Sequence, residues 1–162
     1  MPRFALDARR AACYAVTTVS QGGVSVKIVC VCTGNTCRSP MAAALLGRLL
    51  PGDEVTSAGL YAEDGAPASY HALLAMDEMG IDISGHMARR FRPEMGEGAL
   101  LLAMTRSHAR ALRALCPGAK VELFLGDEEV PDPFGRGMEA YERTARILEE
   151  GAQAIARRLQ GA

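Results

Sequence analysis

Four short apolar runs alternate along the chain with longer stretches whose apolar residues recur every three to four positions. Val26 to Val31 is continuous and rich in β-branched residues, the pattern of a strand buried on both faces. Met41, Leu45 and Leu49 then mark a helix, with Ser39 in the position of an N-cap, Pro40 as its first residue and Pro51-Gly52 as its stop. Glu54 to Ser57 reads as a short second strand. Turn residues fill Gly59 to Pro67, and a helix through Leu73, Leu74, Met76 and Met79 closes at Gly80. The segment from Ile81 to Gly98 is irregular and carries Arg89, Arg90 and Arg92. Ala99 to Met104 is the third strand and the most apolar run. Thr105 or Ser107 caps a helix holding Ala111, Leu112 and Leu115, and Lys120 to Leu125 is the fourth strand. A long last helix shows apolar positions at Met138, Tyr141, Ala145, Leu148, Ala152, Ile155 and Leu159.

Strands alternating with helices define an α/β chain with a parallel sheet, right-handed crossovers and helices on both faces. In such sheets ligands bind beyond the carboxyl ends of the strands, so the turn after the first strand is the place to look for chemistry.

The chain has 162 residues and a net charge of −1, which suits one domain and indicates neither a nucleic-acid footprint nor a basic membrane face. No apolar run is long enough to span a bilayer. The five cysteines are odd in number and three crowd one loop, which argues against a disulfide framework and for a reducing, cytoplasmic setting. Residues 1–25 fit the rest poorly. Arg3, Arg9 and Arg10 before Ala11 to Val19 give a faint likeness to a targeting segment, which Tyr14, Thr17 and Thr18 weaken. They are expected to form a disordered or loosely docked extension to a domain spanning residues 26–162.

The turn after the first strand reads Cys30-Val31-Cys32-Thr33-Gly34-Asn35-Thr36-Cys37-Arg38-Ser39-Pro40. The first N–H groups of the helix that follows have no intrahelical partner and, with the helix dipole, favour an anion. Gly34 and Asn35 suit the positive-φ backbone that points several N–H groups at one centre. A helix N-terminus and a guanidinium both favour the thiolate, the nucleophilic form of a cysteine. Arg38 can clasp two oxygens of a tetrahedral oxyanion in a fixed fork. Cys32 therefore reads as a nucleophile aimed at phosphorus, with Thr33 through Ser39 as the phosphate cradle. A zinc reading of Cys30, Cys32 and Cys37 fails on spacing, and the chemistry calls for no metal or cofactor.

Cys-x5-Arg-Ser here, with Asp132-Pro133-Phe134 far downstream, resembles the low-molecular-weight protein-tyrosine phosphatase family. Thr56-Ser57-Ala58-Gly59, Gly80-Ile81-Asp82-Ile83-Ser84-Gly85-His86 and Leu102-Ala103-Met104-Thr105 resemble its connecting segments, so the likeness runs from Val26 to the C-terminus. The resemblance implies a doubly wound four-stranded sheet with a phosphate-binding loop after the first strand. It also implies a thiophosphate intermediate on Cys32, with Asp132 as general acid and then base, and phosphorylated proteins as substrates. Ser57 and His86 would brace Asn35. Cys37 is either a reversible disulfide partner of Cys32 or a steric element; Ser39 either hydrogen-bonds the thiolate or only caps. Asp127, Glu128 and Glu129 read as solvated charges, and Cys13, Cys30 and Cys116 as structural.

Thr36 stands where tyrosine phosphatases of this family usually carry a bulky apolar residue. It resembles the protein-arginine-phosphatase branch, as does Phe134 in place of tyrosine. Phosphoarginine is the favoured substrate on this reading, with phosphotyrosine as the alternative. Arsenate reduction would need further redox cysteines beyond Cys116, and a non-catalytic phosphate-binding module would not need both Cys32 and Asp132. Nothing in the sequence fixes the oligomeric state.

Overall fold

The computed structural model describes residues 24–161. Most of the expected N-terminal extension, together with Cys13, lies outside the described residues. Strands β1 (Lys27–Cys32), β2 (Glu54–Gly59), β3 (Ala99–Ala103) and β4 (Lys120–Leu123) form one sheet in the order β2-β1-β3-β4, with every pairing parallel. The helices are α1 (Arg38–Leu49), α2 (Tyr70–Glu78), α3 (Arg106–Leu115) and α4 (Met138–Gly161), with a 3-10 turn at Pro93–Gly96.

The two-residue period of β1 sorts its side chains between two cores. Ile28, Cys30 and Cys32 face Met41, Leu45 and Leu46 of α1, Ala72 and Met76 of α2, and Leu148 and Ala152 of α4. Val29 and Val31 face Ala109 and Leu112 of α3 together with Phe91. β1 to β2 and β3 to β4 step in opposite directions across the sheet, so right-handed crossovers place α1 and α3 on opposite faces. The chain thus departs to either side of the β1–β3 pair, and the crevice this leaves at the strand ends receives the loop after β1.

Element edges carry the differences from the sequence reading. β2 runs on to Gly59 and β4 stops at Leu123, where Gly126 at φ 80 donates its N–H to the Leu123 carbonyl at 3.0 Å. Gly80 at φ 75 closes α2 as expected: its N–H and that of Ile81 reach the carbonyls of Asp77 and Met76, both at 2.9 Å. Thr105 rather than Ser107 caps α3, accepting from the His108 N–H. Ser39 is not an N-cap. α1 starts at Arg38 with Cys37 in the capping position and no side-chain cap, because the Ser39 hydroxyl is engaged inside the loop. Glu129 is more than a solvated charge: its carboxylate accepts the first N–H of α3, from Arg106, at 2.7 Å.

Candidate active site

The loop between β1 and α1 curls around its own residues. Asn35 takes the left-handed conformation at φ 57, unusual for any residue but glycine and tolerated best by Asn and Asp. Every polar group of its buried side chain is used. Its amide donates to Ser39 Oγ at 2.7 Å and to Ser57 Oγ at 2.9 Å, and its Oδ1 accepts the Arg89 N–H at 2.9 Å. The Asn35 carbonyl accepts from His86 Nε2 at 2.7 Å, which fixes the proton of this imidazole on Nε2. Burial, opposed in part by that bond and reinforced by Arg89, lowers the His86 pKa below the usual histidine value. Ser57 and His86 thus both hydrogen-bond Asn35. Arg89 joins them, and its Nε also donates to the Ser57 carbonyl at 2.9 Å.

The curl brings an N–H donor and a hydroxyl to sulfur. The Asn35 N–H points at Cys32 Sγ at 3.3 Å, and Ser39 Oγ lies 2.9 Å from the same atom. Ser39 Oγ is also within 3.4 Å of the Ala58 carbonyl. Gly59 makes this curvature possible, because a Cβ there would sit 2.7 Å from the Thr33 carbonyl oxygen and 2.8 Å from the Asn35 nitrogen. Both are backbone atoms with nowhere to rotate. Gly59→Ala is therefore expected to push the loop out of register and lower kcat/KM by ~100-fold, the scale that a misplacement of about 1 Å can cost. Steady-state kinetics on the variant, with phosphate affinity measured alongside, checks this; near-normal turnover would show the loop to be more pliable.

Arg38, the first residue of α1, is buried. One guanidinium nitrogen donates to the Val130 carbonyl at 3.1 Å and the other pairs with Asp132 Oδ2 at 3.5 Å. The structure thereby brings Asp132, on the loop after β4, to Arg38 at the end of the loop that begins with Cys32. Its other oxygen accepts the Phe134 N–H at 3.1 Å, a local turn that fixes the carboxylate's reach, while the Phe134 ring is 74% exposed.

Thr36 is half-buried, and its carbonyl accepts the Ser69 N–H at 2.9 Å. Cys37 Sγ sits 3.3 Å from Ser69 Oγ and 3.4 Å from the Tyr141 hydroxyl. Burial and the contact with Cys37 push the Tyr141 phenol up to about 12, so it remains a donor. Cys32 and Cys37 are both free thiols. Cys30 is buried behind them, and burial together with the neighbouring Cys32 pushes its thiol far above the usual value. Among the described residues no three His, Cys, Asp or Glu side chains are grouped to hold a metal, and no helix is long and apolar enough to cross a membrane.

The sequence reading missed Arg89, Ser69 and His108. His108, on the first turn of α3, puts Nε2 2.8 Å from Thr33 Oγ1. Its position at the site end of the sheet, three residues after a capping threonine, was the available signal. Burial, aided by Arg38 and opposed by Asp132 and Glu129, lowers its pKa from 6.5 to about 4. An unfolded histidine takes up its proton near pH 6.5, so between there and about pH 4 the unfolded chain binds the extra proton. The stability contributed by the neutral ring is present above pH 6.5 and is lost progressively as pH falls toward 4. The urea midpoint is therefore expected to fall more steeply between pH 7 and 4.5 in the native protein than in His108→Gln. Parallel curves would refute this.

A parallel α/β sheet with an Asn-braced, arginine-backed loop at the strand ends, and a thiol at its centre, defines an oxyanion-handling enzyme. The chain belongs to the low molecular weight phosphotyrosine protein phosphatase family, whose model matches residues 27–162. It is 39% identical over 142 residues to a protein-arginine-phosphatase of Geobacillus stearothermophilus, covering 83% of this chain and 96% of that one. The tyrosine phosphatase Wzb from Escherichia coli K30, solved with sulphate, superposes with a TM-score of 0.80 at 33% identity, covering 84% and 99% of the two chains. The YwlE arginine phosphatase, solved as a cysteine-to-serine mutant with a phosphorylated active-site serine, gives 0.79 at 33% identity, covering 84% and 97%. The enzyme is a low-molecular-weight phosphatase with phosphorylated protein substrates.

Proposed function

We propose that this enzyme hydrolyses phosphoarginine on proteins through a thiophosphate on Cys32. The observation that carries the mechanism is the Cys32 sulfur held by the Asn35 N–H and the Ser39 hydroxyl, within a loop whose Arg38 pairs with Asp132. Cys32 attacks phosphorus as a thiolate while the bond to the leaving group breaks. Arg38 and the loop N–H groups from Thr33 to Ser39 hold the oxygens as charge develops. Asp132 gives its proton to the leaving group, then takes one from the water that cleaves the S–P bond, releasing phosphate and restoring the thiolate. The phosphorylated serine in the YwlE mutant supports a nucleophile at this position. Free, buried thiols at Cys30, Cys32, Cys37 and Cys116 suit a reducing, cytoplasmic setting. In an oxidising episode Cys37 would serve as the disulfide partner of Cys32, once released from Ser69 and Tyr141.

Thr36 supports the substrate assignment. Its hydroxyl can meet a guanidino N–H, whereas isoleucine there would leave that N–H unpaired at a cost of roughly 1–3 kcal/mol. The likeness to an arginine phosphatase points the same way. Phosphotyrosine remains the second reading, favoured by the exposed rings of Tyr61, whose N–H bonds the Thr33 carbonyl, and of Tyr70, which follows Ser69. The deciding test is the ratio of kcat/KM for a phosphoarginine peptide over a phosphotyrosine peptide. A ratio well above one is expected, and Thr36→Ile should lower it about tenfold or more. A ratio below one would assign the enzyme to phosphotyrosine, and an unchanged ratio in the variant would remove Thr36 from the argument. Among the described residues arsenate reduction finds no downstream thiol relay, since Cys116 packs against Gly96 and the Pro93 carbonyl on the second face of the sheet.

A further inference from the structure

His108 has no part in the mechanism above, yet its ring reaches the loop. It is 6% exposed, lies on the second face of the sheet with α3, and meets Thr33, the exposed residue directly after Cys32. The loop that carries Glu129, Val130 and Asp132 is held against the start of α3, since Glu129 accepts the Arg106 N–H and the Val130 N–H reaches the Met104 carbonyl. The Val130 carbonyl and Asp132 in turn hold Arg38, and Arg38, Asp132 and Glu129 are thus the charged groups nearest the ring. Its other nitrogen, Nδ1, is buried without a hydrogen-bond partner among the described residues.

Those facts select one tautomer. Burial, the Arg38 charge and the N-terminal end of α3 all disfavour an imidazolium, so the ring carries a single N–H. A proton on Nδ1 would be a buried donor with no acceptor; on Nε2 it is donated to Thr33 Oγ1. Orphaned donors are the rarer and costlier case, which places the proton on Nε2. The Thr33 hydroxyl then has one lone pair occupied, and its rotamer is set. Its own proton and second lone pair remain for the open side of the loop.

We infer that His108 is a positioning residue, which donates Nε2–H to Thr33 Oγ1 and thereby aims the Thr33 hydroxyl at the leaving-group side of the substrate, beside Asp132. Thr33 becomes a second polar contact alongside Thr36, suited to a guanidino group with several N–H donors. The inference rests on the phosphatase reading of Cys32 and Arg38.

The test compares the full-length enzyme with Thr33→Val, His108→Leu, the double variant and His108→Gln. Readouts are KM and kcat for a phosphorylated peptide, inhibition by inorganic phosphate, and thermal midpoint. Loss of one neutral hydrogen bond should raise KM roughly five- to tenfold in either single variant. The double variant should be no worse than either single one, because the two side chains act as a unit. Phosphate inhibition should not change, and His108→Gln, which keeps an N–H at the Nε2 position, should recover most of the affinity. Ring nitrogen NMR of the native enzyme at neutral pH should show the Nε2–H tautomer.

Phosphate inhibition weakening in step with KM would overturn the inference, since His108 would then merely prop up the loop. Multiplying effects in the double variant, an unaltered KM in His108→Leu, or an Nδ1–H tautomer would each overturn it as well. A native enzyme without phosphatase activity, or one whose activity survives Cys32→Ser, would instead overturn the underlying reading, while the tautomer still reports on the His108–Thr33 pair.

Discussion

Cys32→Ser should abolish turnover, lowering kcat by ~10⁴-fold or more, while inorganic phosphate still binds within a few fold of its native affinity. The separation follows from the geometry. In the proposed mechanism anion binding rests on the loop N–H groups and on Arg38, whose bond to Val130 and pair with Asp132 do not involve sulfur. A serine hydroxyl can still accept from the Asn35 N–H and meet Ser39 Oγ, so the loop keeps its shape. What disappears is the nucleophile, because neither Ser39 nor Asn35 is a base able to activate a hydroxyl. Calorimetry with phosphate and a rate assay on the same sample decide the matter. Undiminished turnover would remove Cys32 from the mechanism, and lost phosphate binding would show that sulfur holds the loop together.

Asp132→Asn is expected to cost ~10²–10⁴-fold in kcat, and to cost most where the departing group is a poor one. Asparagine can still accept the Phe134 N–H, so the local turn should survive. It cannot surrender a proton to the leaving atom. A series of aryl phosphates with graded leaving-group acidity would give a steep dependence in the variant and a shallow one in the native enzyme. The same slope in both would transfer the acid role to another group. Loss of the carboxylate also frees Arg38 from its partner at 3.5 Å, so phosphate affinity should hold or rise.

The sheet, its helices and the loop were legible because their signals are local. A β-branched run, a glycine-containing turn and a 3.6-residue period each occupy a few neighbouring positions. Ser39 shows where local rules give way: its N-cap preference is genuine, but Asn35 and Cys32 claim the hydroxyl, and the helix starts two residues earlier without it. Glu129 shows the reverse, an ordinary loop charge drawn to a helix end that lies 23 positions away. The rest of the site was invisible for the same reason. Thr33 meets His108 over 75 positions, Asn35 meets Arg89 over 54, and Cys37 meets Tyr141 over 104. Each partner is unremarkable on its own, and only the closed sheet brings them together. Ser57 and His86 could be placed only through the family resemblance.

The braces on Asn35 bear on how the enzyme fails. Ser57 belongs to β2, but His86 and Arg89 lie on the irregular segment after α2, which carries no step of the reaction. Such a segment can detach at a smaller free-energy cost than the sheet itself. Were it to lift away, the left-handed turn at Asn35 would lose two of its holds while both cores stayed packed. Heat or denaturant should then register first as silent enzyme and only later as melted helix, which makes catalysis a more sensitive gauge of this protein's integrity than any spectrum of its backbone.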